Sequence, residues 1–476
     1  MKPTTLLCLA PLAAVLTLAG CTAGPDYVRP TTPLPGKFVE ADDTAGASAP
    51  LNREWWKLFG DASLNDLVDQ ALQANADLQQ AAARVEEADA FLREAGSALF
   101  PEIDLAGGGN RSRSSANTVP ALPANMLLHN DFRAALSTSF EIDFWGKLRR
   151  GTEAARDLAL ASHYGRDTVE LTLIGLLTQS YLALRALDAQ LAVSRDSLGI
   201  RDKSLAISKD RFTAGLGSQL DVQQAESARA AIVAQIADLV QQRAVAQHQL
   251  ALLTGNPGLT LPPGDFSLLP LPPVPPAGLP SALLDARPDV RQAEAQMAAA
   301  NAKIGVAKAA LFPTISLTAS LGSESTDLAN LFKSDSNLWS GGLNLLLPVF
   351  DAGRQSARVA QSASLQKQAL AAYAKAVQTA FKEVNDALVG LRQAGEKELA
   401  VDVQTKAATR VLSLADARYQ AGYSPYLELL DAQRNTNDAN LTFIRTRQAR
   451  LSAAVDMFKA LGGGWSASLP LAARKD

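Results

Sequence analysis

Residues 132–144, with the sequence FRAALSTSFEIDF, alternate between apolar and polar or small side chains. Phe132, Leu136, Phe140 and Phe144 all fall on the even positions, which form the more apolar of the two faces. Period-two alternation is typical of a β-strand with one apolar and one polar face. A strand of this length and pattern fits a membrane barrel, and it also fits a soluble two-faced sheet that packs on helices.

Three more segments predict strands that would complete two β-hairpins. Residues 313–322 and 339–349 repeat the alternation, and residues 102–113 show it more weakly and are rich in glycine. The hairpins therefore fall at about 102–145 and about 313–350. Four strands cannot close a barrel, because about eight are needed, and an open sheet edge in lipid leaves backbone polar groups unpaired. If the hairpins enter a membrane, several copies of the chain must share one barrel.

The two hairpins belong to an internal repeat. Leu99-Phe100-Pro101 recurs as Leu311-Phe312-Pro313, an offset of 212, and an offset of 207 relates residues 211–255 to residues 418–462. A proline-rich connector at 257–284 would join a first repeat at 61–256 to a second at 285–464. An extended segment at 21–60 and a tail at 465–476 would flank them. The chain is predicted to be mainly α, with two helix–β-hairpin–helix repeats.

Stretches without proline, rich in good helix formers, locate the helices. Two long helices are predicted at 152–212 and 354–420, and shorter ones at 62–98, 218–254, 286–310 and 425–461, with Pro425 in the first turn of the last. A helix of about 60 residues is about 90 Å long at 1.5 Å per residue. That length favours a long bundle.

The amino terminus predicts export and lipidation. Residues 1–20 combine Lys2 with an apolar stretch and match a secretory signal. Leu18-Ala19-Gly20-Cys21 resembles the lipobox of bacterial lipoproteins, which implies that Cys21 becomes the acylated first residue of the mature chain. Thr22 follows it, and lipoproteins without Asp at that position usually go to the outer membrane.

Composition excludes several classes of protein. The 45 Lys and Arg against 48 Asp and Glu give a net charge of −3, which argues against a nucleic-acid partner. Both cysteines lie in the first 21 residues, so the body of the chain has no disulfide framework and no thiolate metal site. No phosphate loop, HExxH motif or nucleophile elbow is found. We therefore predict no enzyme, no cofactor and no metal.

Several motifs, in order along the chain, resemble those of the TolC-like outer-membrane factors, in particular the NodT-type branch of outer-membrane efflux lipoproteins. They lie at 21–27, 55–61, 140–146, 287–294, 311–313, 348–354 and 418–434. The resemblance implies a homotrimer that forms a twelve-stranded β-barrel in the outer membrane on a long α-helical periplasmic tunnel. It implies a passive gated duct that exports small toxic compounds or drugs, together with a periplasmic adaptor (membrane fusion) protein and an inner-membrane transporter of the resistance–nodulation–division type.

The sequence Arg-x-x-Ala-Gly occurs twice, at 211–215 and at 418–422, and is predicted to form a turn each time. The resemblance also implies that the duct is gated at its periplasmic tip, beside the second of these turns. The gate residues would be Leu427, Glu428, Asp431, Arg418 and Tyr419. Leu427 and Asp431 are four positions apart and share one helix face, so copies around an axis would form a hydrophobic ring and an acidic ring. The turns that contact the adaptor would be at Ala214, Gly215, Ala421 and Gly422.

Two other functions fit the same sequence. The first is an outer-membrane duct for type I protein secretion, which has the same fold. The second is a lipid-tethered periplasmic coiled-coil scaffold, in which the hairpins form a soluble sheet and the gate residues are part of an ordinary solvated helix face.

Overall fold

The computed structural model describes residues 22–31, 33, 35–40, 51–117, 123, 127–273 and 280–466. The predicted signal at 1–20, the predicted acylation site Cys21 and nearly all of the tail at 465–476 lie outside these residues. The chain divides into two compact units. The first comprises Met1–Thr31, Arg84–Ser162 and Gln292–Tyr373, and the second comprises Thr32–Ala83, His163–Arg291 and Ala374–Asp476.

The helices and strands follow the order that the repeat predicts. The helices are α1 (Ala62–Ala74), α2 (Ala76–Ser97), α3 (Lys147–Thr213), α4 (Gln219–Leu253), α5 (Leu283–Ala286), α6 (Pro288–Ala309), α7 (Arg354–Gln420) and α8 (Tyr426–Ala460). The strands are β1 (Glu102–Arg113), β2 (Leu128–Ile142), β3 (Thr314–Ser325) and β4 (Asn337–Leu346). The corresponding helices α3 and α7 both have 67 residues, and α4 and α8 both have 35. None of the described helices has an apolar run long enough to cross a membrane.

In the first unit the strands form one antiparallel sheet in the order β1-β2-β3-β4. One row of paired positions across the sheet consists of Leu105, Leu136, Leu321 and Trp339. The adjacent row, on the opposite face, consists of Asp104, Ser137, Ser320 and Ser340. The sheet therefore has an apolar face and a polar face across all four strands, as the alternation in the sequence predicts.

Both edges of this sheet are open. Within the described residues, β1 pairs only with β2 and β4 only with β3. Leu105 on β1 is 77% exposed and Leu345 on β4 is 66% exposed. Apolar side chains on an unpaired edge are an uncommon arrangement in a water-soluble sheet, where edges are usually short, charged or covered.

The continuous helix expected at 62–98 was wrong, because it is divided into α1 and α2. The helix expected at 286–310 is present as α6, which begins two residues later at Pro288 and follows the short helix α5. Asn75 is extended (φ −67°, ψ 127°) and separates α1 from α2, where its Oδ1 accepts a hydrogen bond from the Leu78 amide at 3.0 Å. Arg287 is extended (φ −112°, ψ 124°) and separates α5 from α6. The proline at 288 explains the second break, because a residue before proline is disfavoured in the α region.

Pro425 is also displaced from its predicted place. It lies immediately before α8 as the N-cap, with φ −68° and ψ 159°, and not inside the first turn. Its carbonyl oxygen accepts a hydrogen bond from the Glu428 amide at 3.2 Å. The extended ψ turns the chain into the helix. The N–H that proline lacks would have had no hydrogen-bond partner within the helix at this position, so no helical hydrogen bond is lost.

The largest core lies in the second unit and is built around aromatic residues. Trp55 stacks on Phe458 with 5.1 Å between ring centroids, and Phe59 and Tyr181 are fully buried in the same cluster. Leu177 of α3 belongs to the same cluster and is also fully buried. The core fixes α3 and α8 against the segment that precedes α1.

Candidate functional site

Two matching turns join the long helices, one between α3 and α4 and the other between α7 and α8. In the first turn Gly215 has φ +71° and the Leu216 amide donates to the Arg211 carbonyl at 2.8 Å. In the second turn Gly422 has φ +76° and the Tyr423 amide donates to the Arg418 carbonyl at 2.9 Å. Each is a Schellman ending, in which the left-handed residue is usually glycine because it lacks a Cβ.

The predicted adaptor-contact residues form these turns. Ala214, Gly215, Ala421 and Gly422 are all exposed, and a Cβ added to either glycine would meet no other atom within 4 Å. The turns also expose two large side chains that sequence reasoning missed, Leu216 at 76% and Tyr423 at 81%. In a Schellman ending this position usually packs back on its own helix. The 207-residue offset, which pairs these two positions, was the signal that could have found them.

The helices that leave the two turns start differently. Ser218 caps α4 in a capping box, where its hydroxyl accepts from the Asp221 amide at 3.1 Å and the Asp221 carboxylate accepts from the Ser218 amide at 3.2 Å. The corresponding residues before α8 are Pro425 and Glu428. Proline has neither a hydroxyl nor an amide hydrogen, so the Glu428 carboxylate is not used for capping.

Glu428 instead connects the two helices of the second pair. Its Oε1 lies 3.1 Å from Nε of Arg418, which is in the last turn of α7. The two side chains are 43% and 58% exposed, so water screens the pair. Two of the predicted gate residues are thus in direct contact.

Tyr419, the third of them, lies in a small buried cluster. Its ring is 5.8 Å from that of Tyr426, and Leu429 and Ala225 complete the cluster. The Arg211 guanidinium lies 5.0 Å above the Tyr419 ring, which connects the last turn of α3 to that of α7. Burial raises the pKa of the Tyr426 hydroxyl above its ordinary value. Arg211 and Tyr426 were not predicted, although Arg211 is the repeat equivalent of Arg418.

Leu427 and Asp431 lie together on another side of α8. Both line a cavity of about 600 Å³ between α4 and α8, and Leu427 is 51% exposed. Oδ1 of Asp431 is 3.3 Å from Nη2 of Arg434, one turn further along the helix. The carboxylate predicted for an acidic ring is therefore paired with an arginine of its own helix, which sequence reasoning also missed. Glu428 points to Arg418 and does not line the cavity.

The described residues contain no group of three or more His, Cys, Asp or Glu side chains positioned to hold a metal ion. The polar groups at the turns are bound to one another in ion pairs and caps. Of these three contacts, the Arg418–Glu428 pair joins two helices, and the other two lie within one helix or its cap.

Comparison with known proteins gives consistent matches over nearly the whole chain. The family model described as outer membrane efflux protein matches residues 67–256 and 279–463. The pyoverdine export outer membrane protein OpmQ of Pseudomonas aeruginosa is 36% identical over 475 residues, covering 98% of this chain and 99% of that protein. The toluene efflux pump outer membrane protein TtgI of Pseudomonas putida is 36% identical over 468 residues, covering 96% and 98%. Among solved structures, the Campylobacter jejuni CmeC outer membrane channel has a TM-score of 0.88 at 26% identity and covers 94% of this chain and 96% of CmeC.

Proposed function

Because this chain belongs to the outer membrane efflux protein family, we propose that three copies of it assemble into one gated duct of a tripartite efflux system. The protein is an efflux channel of the outer membrane. The assembly of three copies, the gate, the lipid anchor and the partners are the proposal. The duct moves its cargo passively and carries out no reaction of its own.

The open, apolar-faced sheet is the observation that carries this proposal. Four strands leave an unpaired edge on β1 and another on β4. A lipid-exposed edge would leave several backbone groups without hydrogen bonds, each at several kcal/mol. Pairing β1 of one copy with β4 of the next removes every edge, and three copies would supply twelve strands, above the minimum of about eight for a closed barrel.

Cysteine cross-linking between β1 and β4 tests the assembly. In one chain these strands are separated by three strand spacings, about 14 Å, whereas a disulfide needs Cα atoms within about 7 Å. Only neighbouring copies can therefore form the bond. We expect Leu105→Cys combined in turn with Gly341→Cys, Leu343→Cys or Leu345→Cys to give trimers on non-reducing gels at one register at least. Each single variant is the matched control and stays monomeric after denaturation. Monomers at every register would contradict the shared barrel.

We further propose that the second turn is the gate. Leu427 and Asp431 would face the axis of the duct, and the Arg418–Glu428 pair would hold α8 against α7 in the closed state. Tyr419 and Tyr426 would provide the buried contact on which that pair rests. Opening then requires only the loss of an exposed ion pair and a rearrangement of a small cluster, which binding of partner proteins can drive.

The two exposed turns are proposed as the contact with a periplasmic adaptor, and through it with an inner-membrane transporter of the resistance–nodulation–division type. Leu216 and Tyr423 are large, exposed and related by the repeat, so they present similar apolar anchors around the tip. Buried apolar and aromatic anchors dominate the energy of protein interfaces. This supports the turns around Ala214-Gly215 and Ala421-Gly422 as the docking sites.

The lipid anchor is proposed at Cys21, whose neighbours in the described chain lie beside the sheet. The Ala23 amide donates to the Trp145 carbonyl at 2.9 Å, and Thr22 packs against Gly146, immediately before α3. The Trp145 ring stacks on Phe312 with 4.6 Å between centroids, next to the start of β3. Acyl chains on Cys21 would enter the membrane at this end of the sheet. Mass spectrometry of the amino-terminal peptide from membranes tests the modification.

A small-molecule cargo is favoured over the two alternatives. The relatives named for a cargo include proteins for pyoverdine export and for solvent, toluene or cation efflux. All of these cargoes are small, so we propose small toxic compounds and not secreted proteins. The scaffold hypothesis requires a water-soluble sheet, which does not suit a row of exposed leucines and a tryptophan across four strands. Release of the protein from membranes by lipase alone, without detergent, would favour the scaffold.

A further inference from the structure

The cavity between α4 and α8 has the size and lining of a ligand site. Its volume of about 600 Å³ is within the range of small-molecule sites, about 300–1,000 Å³. Ile232, Leu427 and Leu430 supply apolar surface, and Gln224 supplies an amide. Arg201 of α3 also lines the cavity.

Arg201 is the unusual member of this lining. It is only 4% exposed, and burial lowers the pKa of its guanidinium below the ordinary value. Its Nη1 donates to Oε1 of Gln433 at 2.7 Å, a neutral acceptor that is itself held by the Ser204 hydroxyl at 3.1 Å. Among the residues that the structure describes, no carboxylate forms an ion pair with Arg201. A buried charge without an opposite charge costs several kcal/mol, which an entering anion would recover in part.

The other charges of the lining do not meet this need. Asp431 is paired with Arg434 at 3.3 Å. Asp438 attracts the Arg201 guanidinium electrostatically, but it forms no ion pair with it in the described structure, is exposed and accepts a hydrogen bond from Asn437 at 3.5 Å. The remaining positive charge, beside apolar surface, therefore fits a ligand with an anionic end and an apolar body.

We propose that this cavity binds small amphipathic carboxylates, with the carboxylate on Arg201 and the apolar part against Ile232, Leu427 and Leu430. The site itself follows from the cavity. Its role in transport rests on the proposed function, because Leu427 also belongs to the proposed gate. An occupant would then lie in the path of the cargo, and acidic amphiphiles would be among the compounds that the duct carries.

Binding of 2-naphthoate and of its neutral analogue 2-naphthamide to the purified full-length protein tests this site. We expect calorimetry to give at least tenfold tighter binding of the naphthoate. Arg201→Gln should reduce that preference to less than twofold. Arg229→Gln is the matched control, because it also replaces an arginine by glutamine, here on α4. Arg229 pairs with Asp202 at 2.5 Å and does not line the cavity, so the preference for naphthoate should remain. Ala231→Phe, which keeps Arg201 and fills the cavity, should weaken both probes and serves also if Arg201→Gln does not fold.

The outcomes separate this site from the duct. Equal binding of the two probes, or a preference that survives Arg201→Gln, would overturn the site even if the protein conducts in planar bilayers. Preferential naphthoate binding without conductance, even in Glu428→Gln, which is expected to open the gate, would support the site and contradict the duct. If the natural protein binds neither probe and Arg201→Gln dissociates the assembly, Arg201 belongs to a contact between copies and the proposal is wrong.

Discussion

The ion pair between Arg418 and Glu428 gives the sharpest test of the gate. It connects the last turn of α7 to the first turn of α8, with 3.1 Å between Nε and Oε1. Glu428→Gln removes the charge and nearly keeps the shape, so we expect the channel to open more often. The exchanged pair, Arg418→Glu with Glu428→Arg, should restore the closed state.

The magnitude follows from the exposure of the pair. At 58% and 43% exposure, such a pair contributes about 0.5 kcal/mol. Three copies that open together lose about 1.5 kcal/mol, which is roughly a tenfold shift in the opening equilibrium. The effect should nearly vanish in 1 M salt, where the Debye length is about 3 Å.

Open probability in planar bilayers at about 0.1 M and about 1 M potassium chloride measures this shift over a range in which screening changes strongly. Lys406→Gln is the control, because Lys406 pairs with Asp402 at 2.6 Å inside α7 and connects no second helix. An unchanged open probability for Glu428→Gln at low salt would refute the role of the pair. So would an equal increase in the control, or an increase that persists at high salt.

Three further changes have defined outcomes. Asp431→Ala should raise single-channel conductance, because it removes a charged side chain from the proposed constriction; unchanged conductance would place the gate elsewhere. Gly462→Ala should destabilise the protein by at least about 2 kcal/mol in chemical denaturation, because φ is +86° and its Cβ would lie 2.1 Å from the Ala286 carbonyl oxygen. Gly390→Ala, inside α7 with no atom within 4 Å, is its control and should instead stabilise by about 0.5–1 kcal/mol. Burial raises the pKa of Asp157 from 3.8 to about 6. Ionisation of this side chain therefore lowers the stability of the folded state progressively between about pH 4 and about pH 6, and by a constant amount above pH 6. Asp157→Asn should therefore stabilise by about 2 kcal/mol at pH 7.5, after a discount for its exposed part, and by almost nothing at pH 3.5; equal gains at both pH values would contradict this.

Local pattern was enough to predict most of the fold. Alternation marked the strands, and proline-free stretches marked α3, α4, α7 and α8 to within about five residues, as expected for long periodic elements. The break at Asn75 was missed because its cause lies far away in the chain, whereas the break at Arg287 has a local cause, the proline that follows it. Nδ2 of Asn75 donates to the Leu253 carbonyl at 3.0 Å, which is 178 residues away. No window of sequence contains such a contact.

The candidate site was predicted less completely than the fold. The positions of Leu427, Glu428 and Asp431 on α8 follow from helical spacing, but their partners do not. Arg418 is ten positions before Glu428, and only the geometry of the turn brings the two side chains together. Arg201 gave no signal at all, because an arginine in a polar helical stretch looks the same whether it is buried or solvated.

Both repeats build the far ends of their helix pairs in the same way. Arg287, like Asn75, interrupts a helix and donates to the last turn of another, here from Nη1 to the Ala460 carbonyl at 3.1 Å. Asn75 and Arg287 are 212 positions apart, and the residues whose carbonyls they bind, Leu253 and Ala460, are 207 positions apart. These are the two offsets of the internal repeat. An arrangement kept in both halves, with unlike side chains, indicates that these ends are fixed points of the structure.

The turns at the other ends have diverged, and the proposed gate lies in the half whose turn has no capping box. A capping box holds the start of α4, and an N-cap of this kind contributes about 0.5–2 kcal/mol. Pro425 has neither the hydroxyl nor the amide hydrogen that the two hydrogen bonds of a capping box require. The start of α8 therefore depends on an exposed ion pair and on two buried tyrosines. Because Pro425 cannot form a capping box with Glu428, the Glu428 carboxylate is available to pair with Arg418. A single difference, serine in the first repeat and proline in the second, thus weakens the attachment of α8 and creates a contact that can be broken, which is what a gate in the second repeat requires.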